Sequence, residues 1–207
     1  MRIRLIRVVR LGALLSTLAF PAAGYAQFYV GGGLGQSKYH DVSRVQTACS
    51  TVGATCGVDD TDNGYKLFAG YKFGQFLAFE GGYVDLGQAK ATSAVPVSAR
   101  ASLTASGGYI SLLPQIPLGT TGAIFGRIGV SAVDAKLTAS GGGLTYSDSS
   151  AAASLLFGAG AEVYLTNNVS IRGEWERHSF NEALKIAGVE IDAPDVDLLS
   201  ASLVLSF

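Results

Sequence analysis

FGAGAEVYLTNNVSIRGEWER, residues Phe157 to Arg177, reads as two alternating segments around a tight polar turn near Thr166 to Asn168. Successive side chains of a β-strand point to opposite faces, so a period of two sorts residues by face. The first segment extends from Ala152 to Leu165. Leu155, Phe157, Ala159, Ala161, Val163 and Leu165 share one face, opposite Gly158, Gly160 and Glu162. The second runs from Asn168 to Phe180, with Val169, Ile171 and Trp175 opposite Ser170, Arg172, Glu174 and Glu176. One face is apolar and the other carries charge.

The same pattern recurs outward along the chain. Further segments run from Phe28 to Ser37, Gly64 to Phe73, Phe76 to Leu86, Ala101 to Leu113, Thr121 to Val133 and Val196 to Phe207, which makes eight. The uncharged stretch from Ala101 to Gly126 is broken by Gly107, Gly108, Pro114, Pro117, Gly119 and Gly122. Prolines remove helix donors and glycines disfavour helix, so two strands and a turn are predicted there. Short turns near Gly74-Gln75, Pro114 to Leu118 and Thr166 to Asn168 alternate with long polar loops at Lys38 to Asn63, Gly87 to Arg100, Asp134 to Ser150 and Asn181 to Asp195.

Across the segments, Lys66, Lys72, Glu80, Arg127, Glu162, Arg172, Glu174 and Glu176 fall on one face, and the opposite face is nearly free of charge. A soluble sandwich with a solvated charged face would share this periodicity. Three further features favour a membrane barrel: a leader at the N-terminus, the alternation of loop lengths, and the aromatic C-terminal Phe207. Lipid offers no hydrogen bonds, so a sheet crosses it only when closed on itself. The expected fold is all-β, an eight-stranded antiparallel up-and-down transmembrane β-barrel with both termini on the periplasmic side.

Residues 1–26 read as a signal peptide. Arg2, Arg4, Arg7 and Arg10 form a positive region, Leu11 to Phe20 an apolar run too short to span a bilayer, and Ala22, Ala23, Gly24 and Ala26 a small-residue cleavage region. Residues 27–207 form the barrel domain. Without the four leader arginines the 15 basic residues fall to 11 against 16 acidic ones, a net charge of −5. That excludes a nucleic-acid partner, which needs a basic surface. His40, His178 and the scattered acids form no metal-ligand cluster, and no cofactor is expected. In an oxidising compartment Cys49 and Cys56 read as one disulfide closing a small loop, with two free thiols as the alternative.

The chain resembles the OmpA-like outer-membrane β-barrel domain over essentially all of its mature length. The resemblance rests on FYVGGGLGQS (Phe28 to Ser37), GYKFGQFLAFEGGYVDLG (Gly70 to Gly87), Phe157 to Arg177 as quoted, and DVDLLSASLVLSF (Asp195 to Phe207). It implies residence in the outer membrane among lipopolysaccharide and phospholipid. Phe207, with apolar residues at alternate positions before it, looks like the C-terminal signal read by the barrel assembly machinery. No peptidoglycan-binding domain is expected after Phe207, so a cell-wall tether is not supported. The resemblance also implies acid–base pairs inside the barrel. Glu80, Glu162 and Arg172 match those interior positions, and Arg127 falls where a basic partner is expected. Buried charges persist only when paired, so these four are expected to form one lumen network, serving structure, a narrow gate or both.

The expected function is non-enzymatic: a structural or interaction protein with long loops outside, able to hold an extracellular ligand. A narrow porin-like channel and a surface adhesin are the alternatives; Val95, Pro96, Val97, Ile186 and Val189 are the apolar loop candidates for the latter. Some small barrels act on lipid A with a His and a Ser. Here His178 and Ser179 are adjacent and so face opposite ways, which spoils a shared nucleophile–base geometry. Gly31 to Gly33 build no nucleotide loop, because no helix follows them.

Overall fold

The structure, a computed structural model, describes residues 26–40, 56–93, 99–141, 144–180, 183–186, 189–192 and 195–207. The expected leader (apart from Ala26), Cys49 of the expected disulfide, and Val95, Pro96 and Val97 lie outside the described residues. The strands are β1 (Ala26–Tyr39), β2 (Cys56–Asp59), β3 (Thr61–Phe73), β4 (Leu77–Ser93), β5 (Ala99–Pro117), β6 (Gly122–Gly141), β7 (Leu144–Tyr164), β8 (Val169–Phe180), β9 (Ala183–Ile186), β10 (Val189–Asp192) and β11 (Val196–Ser206).

Each of β1, β3–β8 and β11 pairs antiparallel with its neighbours, and β1 against β11 closes the ring from Tyr29↔Ser206 to Tyr39↔Val196. The result is the expected closed eight-stranded barrel. β2 adds to the outer end of β4 (Cys56↔Ser93), and β9 pairs with β10 as a separate hairpin. Closure satisfies every barrel strand on both edges, as a sheet in lipid requires.

The alternation holds along each strand. On β11, Val196, Leu198, Ser200, Ser202, Val204 and Ser206 are buried, while Leu199, Ala201, Leu203, Leu205 and Phe207 are exposed. The buried side is the lumen. The exposed side is apolar: Leu34, Leu67, Ile128, Leu155 and Leu203 all stand free on the outside. In water such a surface would aggregate; in lipid it is the required face. The lumen is narrow enough that one strand must carry no side chain where its neighbour is bulky. At Gly31 a Cβ would sit 2.4 Å from the Phe68 ring.

Two turn-side expectations shift. The predicted loops Gly87 to Arg100 and Asp134 to Ser150 are mostly strand, since β4 runs to Ser93, β5 starts at Ala99, β6 ends at Gly141 and β7 starts at Leu144. There Ser, Thr, Ala, Asp and Lys occupy both faces, so the hydropathy contrast vanishes while the ladder continues through Thr138↔Ser147. Likewise the turn predicted at Pro114 to Leu118 starts later. Pro114 lies inside β5, where the ladder to β6 skips from Leu112↔Ile128 to Gln115↔Phe125.

Strands β5, β6 and β7 have 19, 20 and 21 residues. A tilted strand needs about 9–11 to cross the bilayer. Each therefore continues about ten residues, roughly 30 Å, beyond it. The extension lies at the end away from the short turns, the external side. At one point the ladder shifts register: a bulge between Asp85 and Gln88 contains Gly87 at φ +70°, a backbone conformation that suits glycine.

Candidate functional site

The lumen has two storeys. Toward the outer end it is apolar, packed with Tyr39, Val84, Leu86, Val133, Leu156 and Leu198. The Tyr39 hydroxyl donates to the carbonyls of Leu86 (3.2 Å) and Gly87 (3.0 Å), and the Ser37 hydroxyl donates to Leu86 (2.6 Å). Below this cap the inward positions carry charge.

Glu80 on β4 is the hub, with 0 % of its surface exposed. Its carboxylate accepts from Arg127 Nη2 (2.7 Å), Arg172 Nη1 (2.6 Å), Tyr29 Oη (3.0 Å) and Tyr109 Oη (2.9 Å). Arg172 on β8 also donates from Nη2 to Glu162 Oε2 (2.9 Å). Glu162 on β7 accepts in addition from Lys72 Nζ (2.9 Å) and the Ser170 hydroxyl (2.8 Å). On the other side of the hub, Arg127 donates from Nε to Glu174 (2.6 Å) and from Nη1 to Ser111 (2.7 Å), and Nε lies 3.1 Å from Glu176. Lys66 bonds Glu174 and, at 2.8 Å, Glu176.

The four expected residues thus lie in one connected cluster. It also takes in Lys66, Lys72, Glu174 and Glu176, so four carboxylates meet four cations and the formal charge sums to zero. Neutrality matters because an unpaired charge in this buried interior is costly. Rings complete the solvation. Arg172 lies over Tyr29, Phe68 and Phe125 at 5.1–5.4 Å, and Arg127 over Tyr109 at 5.4 Å. Tyr29, Tyr109, Ser111 and Ser170 were not expected as partners; the one sign of them in the sequence is their inward parity.

The family model for the OmpA-like transmembrane domain matches residues 23–207. The chain belongs to the OmpA-like transmembrane domain family. It is an integral outer-membrane β-barrel. Solved barrels share the fold. Ail, the attachment invasion locus protein of Yersinia pestis, solved with the heparin analogue sucrose octasulfate, superposes with a TM-score of 0.55 at 16% identity, covering 88% of this chain and 99% of Ail. The outer-membrane protein OprG of Pseudomonas aeruginosa gives 0.51 at 13% identity, covering 88% and 96%. No curated protein matches the chain.

Two other features of this OmpA-like barrel bear on chemistry. His178 points into the lumen and is buried. Its Nδ1 lies 3.0 Å from the Ser131 hydroxyl, which bonds Ser154 in turn. Ser179 follows on the opposite parity, so His178 and Ser179 form no dyad. At the periplasmic mouth a vestibule of about 720 Å³ is lined by Gln27, Lys72, Gln115, Tyr164 and Ser206 and ends on the charge network. Phe207 sits at that rim, exposed, with its N–H bonded to the Phe28 carbonyl (2.9 Å).

Proposed function

We propose that the protein is a closed, non-enzymatic barrel. On this reading it neither conducts ions nor turns over lipid, and it carries an extended β-sheet outside the membrane for contact with an extracellular partner. One observation carries this reading: Glu80 and Arg172, at the centre of the lumen, have 0 % exposure from either mouth. The network braces β1 and β3–β8 across the bore, and the apolar cap lies above it. A barrel of this strand number leaves an interior that side chains fill. The buried Ser131–His178 pair offers no route for a substrate, and the outer halves of β4–β7 supply the surface that an interaction role needs.

Single-channel recording in planar bilayers tests the reading. Purified, heat-modifiable protein should give no current steps above baseline across both polarities. Discrete steps whose size scales with salt would replace it with the narrow-channel reading. Lipid A mass spectra should be unchanged on overexpression, and a lost acyl chain would count against the non-enzymatic assignment.

A further inference from the structure

β7 pairs with β8 only from Ser154↔Phe180 to Tyr164↔Ser170, while its pairing with β6 continues outward to Gly141↔Leu144. Beyond Ser154 the edge of β7 that faces away from β6 has no ladder partner among the described residues. The periplasmic turns show which backbone groups point to that edge. The Tyr164 N–H bonds the Thr121 carbonyl, toward β6, and the Leu165 N–H bonds the Val169 carbonyl, toward β8. Backbone groups of successive residues alternate between the two neighbours, and the β6–β7 register runs without a shift. The N–H and C=O of Ser147, Ser149, Ala151 and Ala153 therefore face the side that β8 leaves open. At Ser149 the N–H takes the carboxylate of the adjacent Asp148 (2.9 Å) where a neighbouring strand would otherwise accept.

A second unfinished element stands beside it. β9 and β10 have four residues each and pair only with one another. An isolated two-stranded hairpin is marginal in water. β8 ends at Phe180 and β9 begins at Ala183, so the hairpin is tied closely to the end of β8. β9 also comes within 8 Å of β7, Cα to Cα, without a ladder pair between them among the described residues. The registers show what holds it off line. β8 and β11 pair as Val196↔His178, whose straight continuation would set Lys185 against Val189, but the hairpin pairs Lys185 with Glu190. The path from β8 into β9 thus carries one residue more than the path from β10 into β11, as in a β-bulge.

Each element supplies what the other lacks. An exposed strand edge is a template for foreign strands, and proteins guard such edges with proline, lysine, bulges or a covering segment. From Thr145 to Ala153 the β7 edge has no proline, no lysine and no bulge. The hairpin is the covering segment within reach. The β7–β8 register, continued past Phe180 and moved by the one extra residue, sets Leu184 against Ala151 and Ile186 against Ser149.

We infer that β9–β10 is a strap that docks on the external sheet by adding β9 to the open edge of β7, with Leu184 against Ala151 and Ile186 against Ser149. On docking, the Ser149 N–H passes from the Asp148 carboxylate to a β9 carbonyl, and β10 becomes the outermost strand. The external sheet then offers a partner its faces, and a partner that binds by adding a strand to β7 must first displace the strap. The docking itself does not depend on the closed, non-enzymatic reading of the barrel.

Amide hydrogen exchange of the folded protein in nanodiscs, read residue by residue by NMR, tests this. The N–H groups of Ser150 and Ala152 point to β6 and serve as the internal standard. In the wild type Ser149 and Ala151 should be protected to the same order as that standard, whereas on an open edge they would exchange like a loop. Replacing 183–192 with a Gly-Ser linker of equal length should speed exchange at Ser149 and Ala151 about tenfold or more, and leave Ser150 and Ala152 unchanged. Should the linker variant give no folded band on gels, Leu184→Pro/Ile186→Pro removes the β9 N–H groups aimed at β7 and should have the same effect. Fast exchange at Ser149 and Ala151 in the wild type would overturn the docking. So would protection that survives loss of β9, because a second copy or another strand would then be holding the edge.

Discussion

Glu80→Gln is the sharpest probe of the lumen. The substitution keeps the shape of the side chain and removes its charge. In the wild type Glu80 accepts from two guanidiniums and two tyrosine hydroxyls, at 2.6–3.0 Å. Gln has a single acceptor oxygen, and its NH₂ group must face at least one of those four donors. Breaking a buried ion pair by removing one partner costs about 3–5 kcal/mol. The folded-to-unfolded ratio should therefore fall by roughly 100-fold or more. The cost arises from leaving an uncompensated cation, so restoring neutrality should recover part of it. In Glu80→Gln/Arg172→Gln, Glu162 keeps Lys72 and Ser170, and Arg127 keeps Glu174 and Glu176. The double variant should be less destabilised than the sum of the singles by about 1–3 kcal/mol. Urea unfolding in lipid vesicles reads this directly. Trp175, the one tryptophan of the chain, lies on the lipid face against Phe157, and its emission should report release from lipid. A Glu80→Gln cost under about 1 kcal/mol, or strict additivity in the double variant, would refute the reasoning, because it would mean that the charges sit in water rather than in a dry bore.

Other substitutions test the same geometry elsewhere. Ile128→Arg, at a position 64% exposed on the lipid face of β6, should cost about 2–4 kcal/mol in bilayers, whereas Lys136→Glu on the external part of that strand should leave unfolding unchanged. Equal effects would put the membrane boundary in the wrong place. Gly31→Val forces a Cβ to within 2.4 Å of Phe68 and 2.9 Å of the Leu203 carbonyl, so the heat-modifiable fraction on gels should collapse. Gly108→Ala meets nothing nearer than 3.7 Å and should fold as wild type. Excising 137–148 and closing Lys136 to Ser149 with a two-residue turn should leave a heat-modifiable barrel, since the β6–β7 pairs from Leu137↔Asp148 to Gly141↔Leu144 lie beyond the spanning segment. Loss of the folded band would show that the external hairpin is needed for barrel closure.

Face parity is the part of this molecule that a single sequence exposes. Alternation alone puts Lys66, Lys72, Glu174 and Glu176 on the same side as Glu80, Arg127, Glu162 and Arg172, and the structure keeps all of them inward. Which of them touch is a different matter. Lys66 and Glu174 are 108 positions apart, and they meet because β3 faces β8 across the bore. That depends on strand tilt and stagger around a closed ring, which no local pattern encodes. The same limit hides Tyr29 and Tyr109 as donors to Glu80, because an inward tyrosine in a strand is equally well explained by ordinary aromatic enrichment. Strand ends were lost for another reason. From Ser147 to Ala153 both faces carry small or polar residues, so the chain shows no contrast even though every residue is paired with β6.

Charges in so narrow a lumen need a reason beyond stability, since well-packed apolar replacements of buried ion pairs are often neutral or better. Register supplies one. A strand slipped by one residue exchanges its two faces. If both faces were apolar, nothing would oppose the slip. On β8 the inward residues Arg172, Glu174 and Glu176 alternate with Ile171, Gly173 and Trp175. A one-residue slip would turn all three charges toward lipid, at about 2–4 kcal/mol for the arginine alone if it reached the bilayer midplane, with the glutamates adding to it. It would also strip Glu80 and Lys66 of partners on other strands. The network is then chiefly a device that makes one face-assignment far better than the alternative for every strand that contributes to it. This account requires the coupling in the Glu80/Arg172 cycle to be large, because a register lock works only where each charge is held by its partner and not by water.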